Sequence, residues 1–167
     1  MSRAFVKETD TAPADLPERP VSEHPNLVTG EGLAAIEREI DRLGAAHAAA
    51  MSKGDNAASA AAARDLRYWM ARRATAQVIP PPAYATSPAA EDSAARVVKF
   101  GARVTVRRED ARGQTREQTF RIVGEDEAEP SRGTISHVSP LARALFGKSV
   151  GETAEVAGGA AEILAID

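Results

Sequence analysis

Apolar residues at helical spacing mark the first regular part of the chain. Intervals of three, four and three residues separate Leu33, Ile36, Ile40 and Leu43, and charged residues fill the positions between them. Such a stripe is typical of an amphipathic helix that packs its apolar seam against a partner helix. Thr29 stands just ahead of the stripe, and we expect it to cap the helix N-terminus.

The partner helix follows a turn. Gly54-Asp55-Asn56 is a turn signal, and residues 57–76 predict a second helix. One face of that helix carries Ala62, Leu66, Trp69 and Arg73, with Met70 beside it. Because small residues lie near the turn and bulky ones further away, residues 27–79 predict an antiparallel coiled-coil hairpin in which Met70 and Trp69 pack against neighbouring structure.

The composition changes after Pro80-Pro81-Pro82, which cannot continue a helix. Residues 80–95 predict a Pro/Ala-rich linker. Strand-like runs then occupy positions 97–100, 102–106, 119–123, 133–138, 153–156 and 161–166. Ser139 followed by Pro140 predicts one short helix that ends at Gly147. The fold class is therefore α+β, with the helical hairpin followed by a small antiparallel β domain over residues 96–167.

Composition and net charge argue against several classes of function. The net charge of −3 argues against nucleic-acid binding through an overall positive field, and the absence of cysteine excludes disulfides and thiolate metal sites. His24, His47 and His137 lack metal-ligand spacing. Residues 1–26 have no periodicity and predict a flexible arm. No apolar run approaches a membrane span, so we expect a cytoplasmic monomer without a membrane segment or a cofactor of its own.

Several short motifs resemble one bacterial family. Residues 120–156, FRIVGEDEAEPSRGTISHVSPLARALFGKSVGETAEV, resemble the C-terminal signature of the transcript-cleavage factors GreA and GreB. The strongest parts are 135–136, 139–145, 147–148 and 150–152. Residues 27–43 resemble the family's opening helix, and residues 76–79 resemble the end of its second helix. The resemblance extends over about residues 27–167.

This resemblance implies a specific mode of action. The β domain would have an FK506-binding-protein-like fold and dock at the rim of the secondary channel of bacterial RNA polymerase, which the hairpin enters. In active members, acids at the hairpin tip help to hold a second Mg²⁺ in the polymerase's active centre, and that ion activates water for RNA cleavage. The docking residues implied here are Ser139, Pro140, Leu141 and Arg143, after Val138 where the family often has a polar residue.

The tip departs from the pattern of active members, which is close to Gly-Asp-x-x-Glu-Asn-Ala-x-Tyr. Asp55 matches the first acid, whereas Ala58, Ser59 and Ala62 replace the glutamate, asparagine and tyrosine. Asp55 is also the only acid within residues 42–64. A single exposed carboxylate is a weak ligand for Mg²⁺, and Asp55 beside Gly54 is equally typical of a turn residue.

The hairpin arms are short as well. Thr29 and Gly54 are 25 positions apart, and the resemblance implies that arms about eight to ten residues longer, or about 12 to 15 Å, are usual in cleavage factors. In arm length the chain is similar to the regulators of nucleoside diphosphate kinase, which are related polymerase-binding proteins.

Two functions from different classes remain open. The first is a Gre-like factor that occupies the secondary channel and modulates transcription without stimulating cleavage, either by competing with other channel-binding factors or by altering the channel. The alternative is a genuine cleavage factor in which Asp55 helps to hold the polymerase's Mg²⁺. In either case the chain is not itself an enzyme. Prolyl isomerase activity is disfavoured because only Phe100, Phe120 and Phe146 supply aromatic rings to the β domain, and no motif predicts sequence-specific DNA binding.

Overall fold

The computed structural model describes residues 16–86, 95–109, 114–157 and 159–167. They form two compact units, which are described separately. The helical unit comprises residues 16–21 and 36–74, and the β unit comprises residues 22–35 and the described residues from 75 onward. No helix in the described ranges is long and apolar enough to cross a membrane.

Two long helices form the hairpin. Helix α1 spans Gly30–Ser52 and helix α2 spans Asn56–Thr75. His47 contacts Ser59 near the turn, and Glu37 pairs with Arg73 at the far end, so the helices run antiparallel as predicted. Thr29 caps α1 as expected, since its Oγ1 accepts the Gly32 N–H at 2.9 Å.

The residues predicted to face the partner helix are buried more often on α1 than on α2. Buried positions on α1 beyond its first turns are Ile36, Leu43 and Ala50, and those on α2 are Ser59, Ala62 and Arg72. Arg73 lies on the predicted face toward α1, since its guanidinium pairs with Glu37 at 2.8 Å, and its long side chain remains half exposed. The prediction that Met70 packs is wrong: it lies to one side of the face and is 55% exposed.

The β unit contains two sheets. Strands β1 (Leu27–Val28) and β2 (Gln77–Val78) form a short parallel pair immediately before α1 and after α2. A short helix α3 spans Ala83–Thr86. The main sheet comprises β3 (Arg103–Glu109), β4 (Thr115–Val123), β5 (Thr134–Ser136), β6 (Thr153–Val156) and β7 (Gly159–Ile166). Its order is β5-β4-β3-β7-β6, with only the β4–β5 pair parallel.

Helix α4, Pro140–Leu145, completes this unit, and together with the hairpin it confirms the predicted α+β class. Alternate residues of the strands face one core, which includes Val104, Val106, Ile122, Ile163 and Ile166 together with Leu145 of α4. The predicted strand at 97–100 is wrong except for an isolated bridge between Val97 and Ser149. The chain turns there instead, at Gly101, whose φ is +84°.

Tyr84 is a core residue that the sequence analysis placed in the linker. It is 1% exposed within the core of the β unit, and its hydroxyl donates to the Val97 carbonyl at 2.6 Å. Tyr84 therefore adds a fourth aromatic ring to the three that were predicted for the β domain. Residues 1–15 of the predicted arm and 87–94 of the predicted linker lie outside the described residues, and the domain boundaries stay predictions.

Glu127 organises the entry to α1. Its carboxylate accepts the Thr29 N–H at 2.9 Å, the Thr29 hydroxyl and the Gly124 N–H at 3.3 Å. Gly32 leaves room for this carboxylate, because a Cβ at that position would lie 2.0 Å from the Glu127 carboxyl carbon and would displace it. Glu127 therefore holds the residue that caps α1, a role that no local motif revealed.

We expect Tyr84 to be essential for the stability of the β unit. Tyr84→Ala should lower its free energy of unfolding by about 3 to 5 kcal/mol, because it empties an aromatic site in the core. Tyr84→Phe removes only the hydrogen bond to Val97 and should cost about 1 kcal/mol. Urea titration followed through NMR signals of β3 and β4 measures both. An unchanged midpoint for Tyr84→Ala would contradict the assignment of this residue to the core.

Candidate functional site

The hairpin tip uses its one acid for helix capping. Gly54 adopts a left-handed conformation with φ +69° and ends the turn. Asp55 follows, and its Oδ1 accepts the Ala58 N–H at 2.9 Å while its carbonyl accepts the Ser59 N–H at 3.0 Å. This is the geometry of a residue that caps the N-terminus of α2. One carboxylate oxygen is thus already engaged with the backbone.

The tip positions that differ from the cleavage-factor pattern have different environments. Ser59 and Ala62 are buried in the hairpin, and both Oγ and the carbonyl of Ser59 lie 3.1 Å from His47 Nδ1. Ala58 and Asn56 are exposed. Across the described residues, no group of three or more His, Asp or Glu side chains is placed to hold a metal ion. The predicted tip residues Gly54, Asp55 and Asn56 therefore form a turn and a cap.

Ion pairs within the helical unit engage Arg64, Arg67 and Arg73 of α2. Arg64 pairs with Asp65 at 2.7 Å, and Arg67 forms a two-pronged ion pair with Glu18. That hydrogen-bonded pairing holds the pKa of the Glu18 carboxyl below its usual value and raises the pKa of Arg67. Arg19, next along the chain, lies 3.8 Å above the Tyr68 ring. The charges of Arg64 and Arg67 are thus compensated by acids of the same unit.

The predicted docking residues lie together on α4 and just before it. Ser139 Oγ accepts the Ala142 N–H at 3.2 Å and so caps the helix, as predicted. Leu141 is half-buried against the core of the β unit, whereas Pro140 and Arg143 are exposed. We call Ser139, Pro140, Leu141 and Arg143 the docking segment. Its freely accessible groups are the Pro140 ring and the Arg143 guanidinium.

A cavity of about 290 Å³ opens beside the docking segment. Its lining consists of His24, Pro25, Leu27, His137, Val138 and Arg143. His137 is 8% exposed, and its ring packs edge-on to Phe100 with 5.7 Å between the centroids. Two histidines that lie far apart in the sequence therefore meet at one cavity. Their sequence spacing carried no signal of this, because long-range folding of the β unit brings them together.

Comparison with known proteins gives one consistent result. The family model described as "Transcription elongation factor, GreA/GreB, C-term" matches residues 93–167. The transcription elongation factor GreA of Hyphomonas neptunium is 55% identical over 60 residues, which cover 36% of this chain and 36% of that protein. GreA of Phenylobacterium zucineum is 34% identical over 147 residues, which cover 77% of this chain and 86% of that protein.

Solved structures give a more distant likeness. The GreA factor homolog 1 of Thermus thermophilus is 19% identical, with a TM-score of 0.38, over 86% of this chain and 99% of that one. A GreA/GreB elongation factor from Nitrosomonas europaea is 15% identical, with a TM-score of 0.36, over 86% and 98% of the two chains.

We expect Asp55 to stabilise the hairpin through its cap. Asp55→Ala should lower the free energy of unfolding of the hairpin by about 1 kcal/mol, whereas Asp55→Ser keeps a capping oxygen and should lose little. The fluorescence of Trp69, the only tryptophan, reports urea unfolding of α2. Asp41→Ala is the control, because it removes an exposed hairpin carboxylate without touching a cap. Equal losses for the Ala and Ser variants of Asp55 would contradict the capping role.

Proposed function

Since the chain belongs to the GreA/GreB family of transcription elongation factors, we propose that it binds bacterial RNA polymerase at the secondary channel and modulates transcription without stimulating RNA cleavage. The observation that carries the proposal is the hairpin tip. Its one acid, Asp55, is engaged in capping α2. The protein acts in this proposal as a monomer in the cytoplasm, with no cofactor or catalytic activity of its own.

The chemistry of cleavage supports this choice. A second Mg²⁺ in a two-metal site is held by concentrated negative charge, usually several oxygens in a fixed geometry. At this tip the position that carries glutamate in active members is Ala58, and no other acid replaces it within residues 42–64. A lone carboxylate that already accepts a backbone hydrogen bond offers Mg²⁺ little binding energy.

The length of the hairpin supports the same conclusion. Helix α1 has 23 residues, which corresponds to about 35 Å of helix. The resemblance implies arms about 12 to 15 Å longer in cleavage factors, and a tip held by the same dock then stops before the active centre. The protein then acts by occupying the channel, where it competes with other channel-binding factors.

The docking segment is proposed as the anchor on the polymerase. Pro140 and Arg143 present an exposed ring and an exposed cation, and Ser139 and Leu141 hold them in place through the cap and the core contact. A rigid helix end that presents one apolar and one charged group suits docking on a protein surface.

The decisive experiment is a transcript-cleavage assay on backtracked elongation complexes. We expect no RNA shortening with this protein alone, and slower shortening when it is added together with an active cleavage factor. Rapid shortening by the protein alone would instead support the alternative function, in which Asp55 helps to hold Mg²⁺. If the protein neither shortens the RNA nor slows the active cleavage factor, polymerase binding would be contradicted.

A carboxylate added at the tip tests whether the missing acid or the short arms prevent cleavage. Ala58→Glu restores the missing acid at an exposed position, and we expect it to remain inactive because the arms are too short. Ala57→Glu, with the same charge on the adjacent exposed residue, is the matched control. If Ala58→Glu stimulates RNA cleavage and Ala57→Glu does not, the acid alone is missing. The short arms would then not be a cause of inactivity.

A further inference from the structure

The cavity beside the docking segment is rich in nitrogen-bearing side chains and has no acid among its described lining residues. Arg143 contributes a guanidinium, and His24 and His137 contribute imidazoles. Pro25, Leu27 and Val138 form apolar parts of the wall. A site with this composition favours a negatively charged group at the end of a short aliphatic stem.

The polar groups of the cavity are not satisfied by the described part of the chain. No ion pair or hydrogen bond within the described ranges involves the Arg143 guanidinium. The hydrogen bond of His24 is made by its backbone N–H, to Ser22 Oγ, and leaves the ring available. His137 is more than nine-tenths buried, and its Nδ1 has no hydrogen-bond partner among the described residues.

An unpartnered buried ring nitrogen is unusual, because most buried polar atoms in proteins have a hydrogen-bond partner. Arg143 is the cation of this cavity, and its guanidinium has no partner among the described residues. A carboxylate in the cavity would pair with Arg143 and offer acceptor oxygens to the imidazoles that line it. The size of the cavity, about 290 Å³, lies just below the range of sites for drug-sized ligands and suits a single side chain.

We propose that this cavity receives an acidic side chain, aspartate or glutamate, from the polymerase surface on which the protein docks. The proposal rests on the proposed function, since Val138 and Arg143 connect the cavity to the docking segment. Arg143 forms the ion pair with the incoming carboxylate, and Leu27 and Val138 contact its aliphatic stem. The Arg143 cation, the two imidazoles and the absence of an acid among the described lining residues select this partner.

The first test measures the affinity of the protein for core RNA polymerase. Arg143→Gln removes the charge and should weaken binding about tenfold or more, whereas Arg143→Lys keeps the charge and should lose less. Arg132→Gln is the matched control, because Arg132 lies in the same unit, is 80% exposed and pairs with Glu129 outside the cavity. Equal weakening by the Gln and Lys variants, or none by either, would overturn the proposal while leaving polymerase binding intact.

The second test examines the cavity directly. N-acetyl-glutamate amide is titrated into the protein while the ring signals of His24 and His137 are followed by NMR, and the uncharged N-acetyl-glutamine amide is the control. We expect saturable shifts with the glutamate probe alone, and their loss in Arg143→Gln. Absent shifts, or equal shifts with both probes, would overturn the carboxylate preference. If the wild-type protein does not bind polymerase, the proposed function fails and this titration alone decides the nature of the cavity.

Discussion

The carboxylate of Glu127 is the interaction on which the entry to the hairpin depends. It accepts hydrogen bonds from the backbone and hydroxyl of Thr29 and from the backbone of Gly124, while the same Thr29 hydroxyl caps α1. Pairing of β1 with β2 then joins the segment before α1 to the segment after α2. One carboxylate and a two-residue strand pair thus hold together the segments of the β unit that precede and follow the hairpin in the chain.

The hairpin tip shows that a stable turn between two helices needs only one acid. Asp55 is sufficient to cap α2, and Ser59 with His47 joins the two helices near the turn. Ala62 is buried in the seam between the two helices. These contacts stabilise a closed helical tip, and none of them requires the concentrated negative charge that a second metal ion needs. The contacts that stabilise this tip therefore require no acid other than Asp55.

Features set by neighbouring residues could be predicted from the sequence. The caps at Thr29 and Ser139 and the turn at Gly54 depend on side chains within a few positions, and each is present in the structure. Features set by distant residues could not be predicted. Tyr84 belongs to a core assembled from strands that come later in the chain, and Glu127 lies 98 positions from the residue it holds. The cavity at His24 and His137 likewise depends on contacts between residues that are distant in the sequence.

The most direct test of the account measures how far the tip lies from the polymerase's active centre. The chain has no cysteine, so Asn56→Cys places one spin label at the tip, and Mn²⁺ in the polymerase active site supplies the second paramagnetic centre. We expect a defined separation, with the tip about 12 to 15 Å short of the position that would allow metal coordination. A label in contact with the metal would contradict the proposed function, as would a label with no measurable coupling to it.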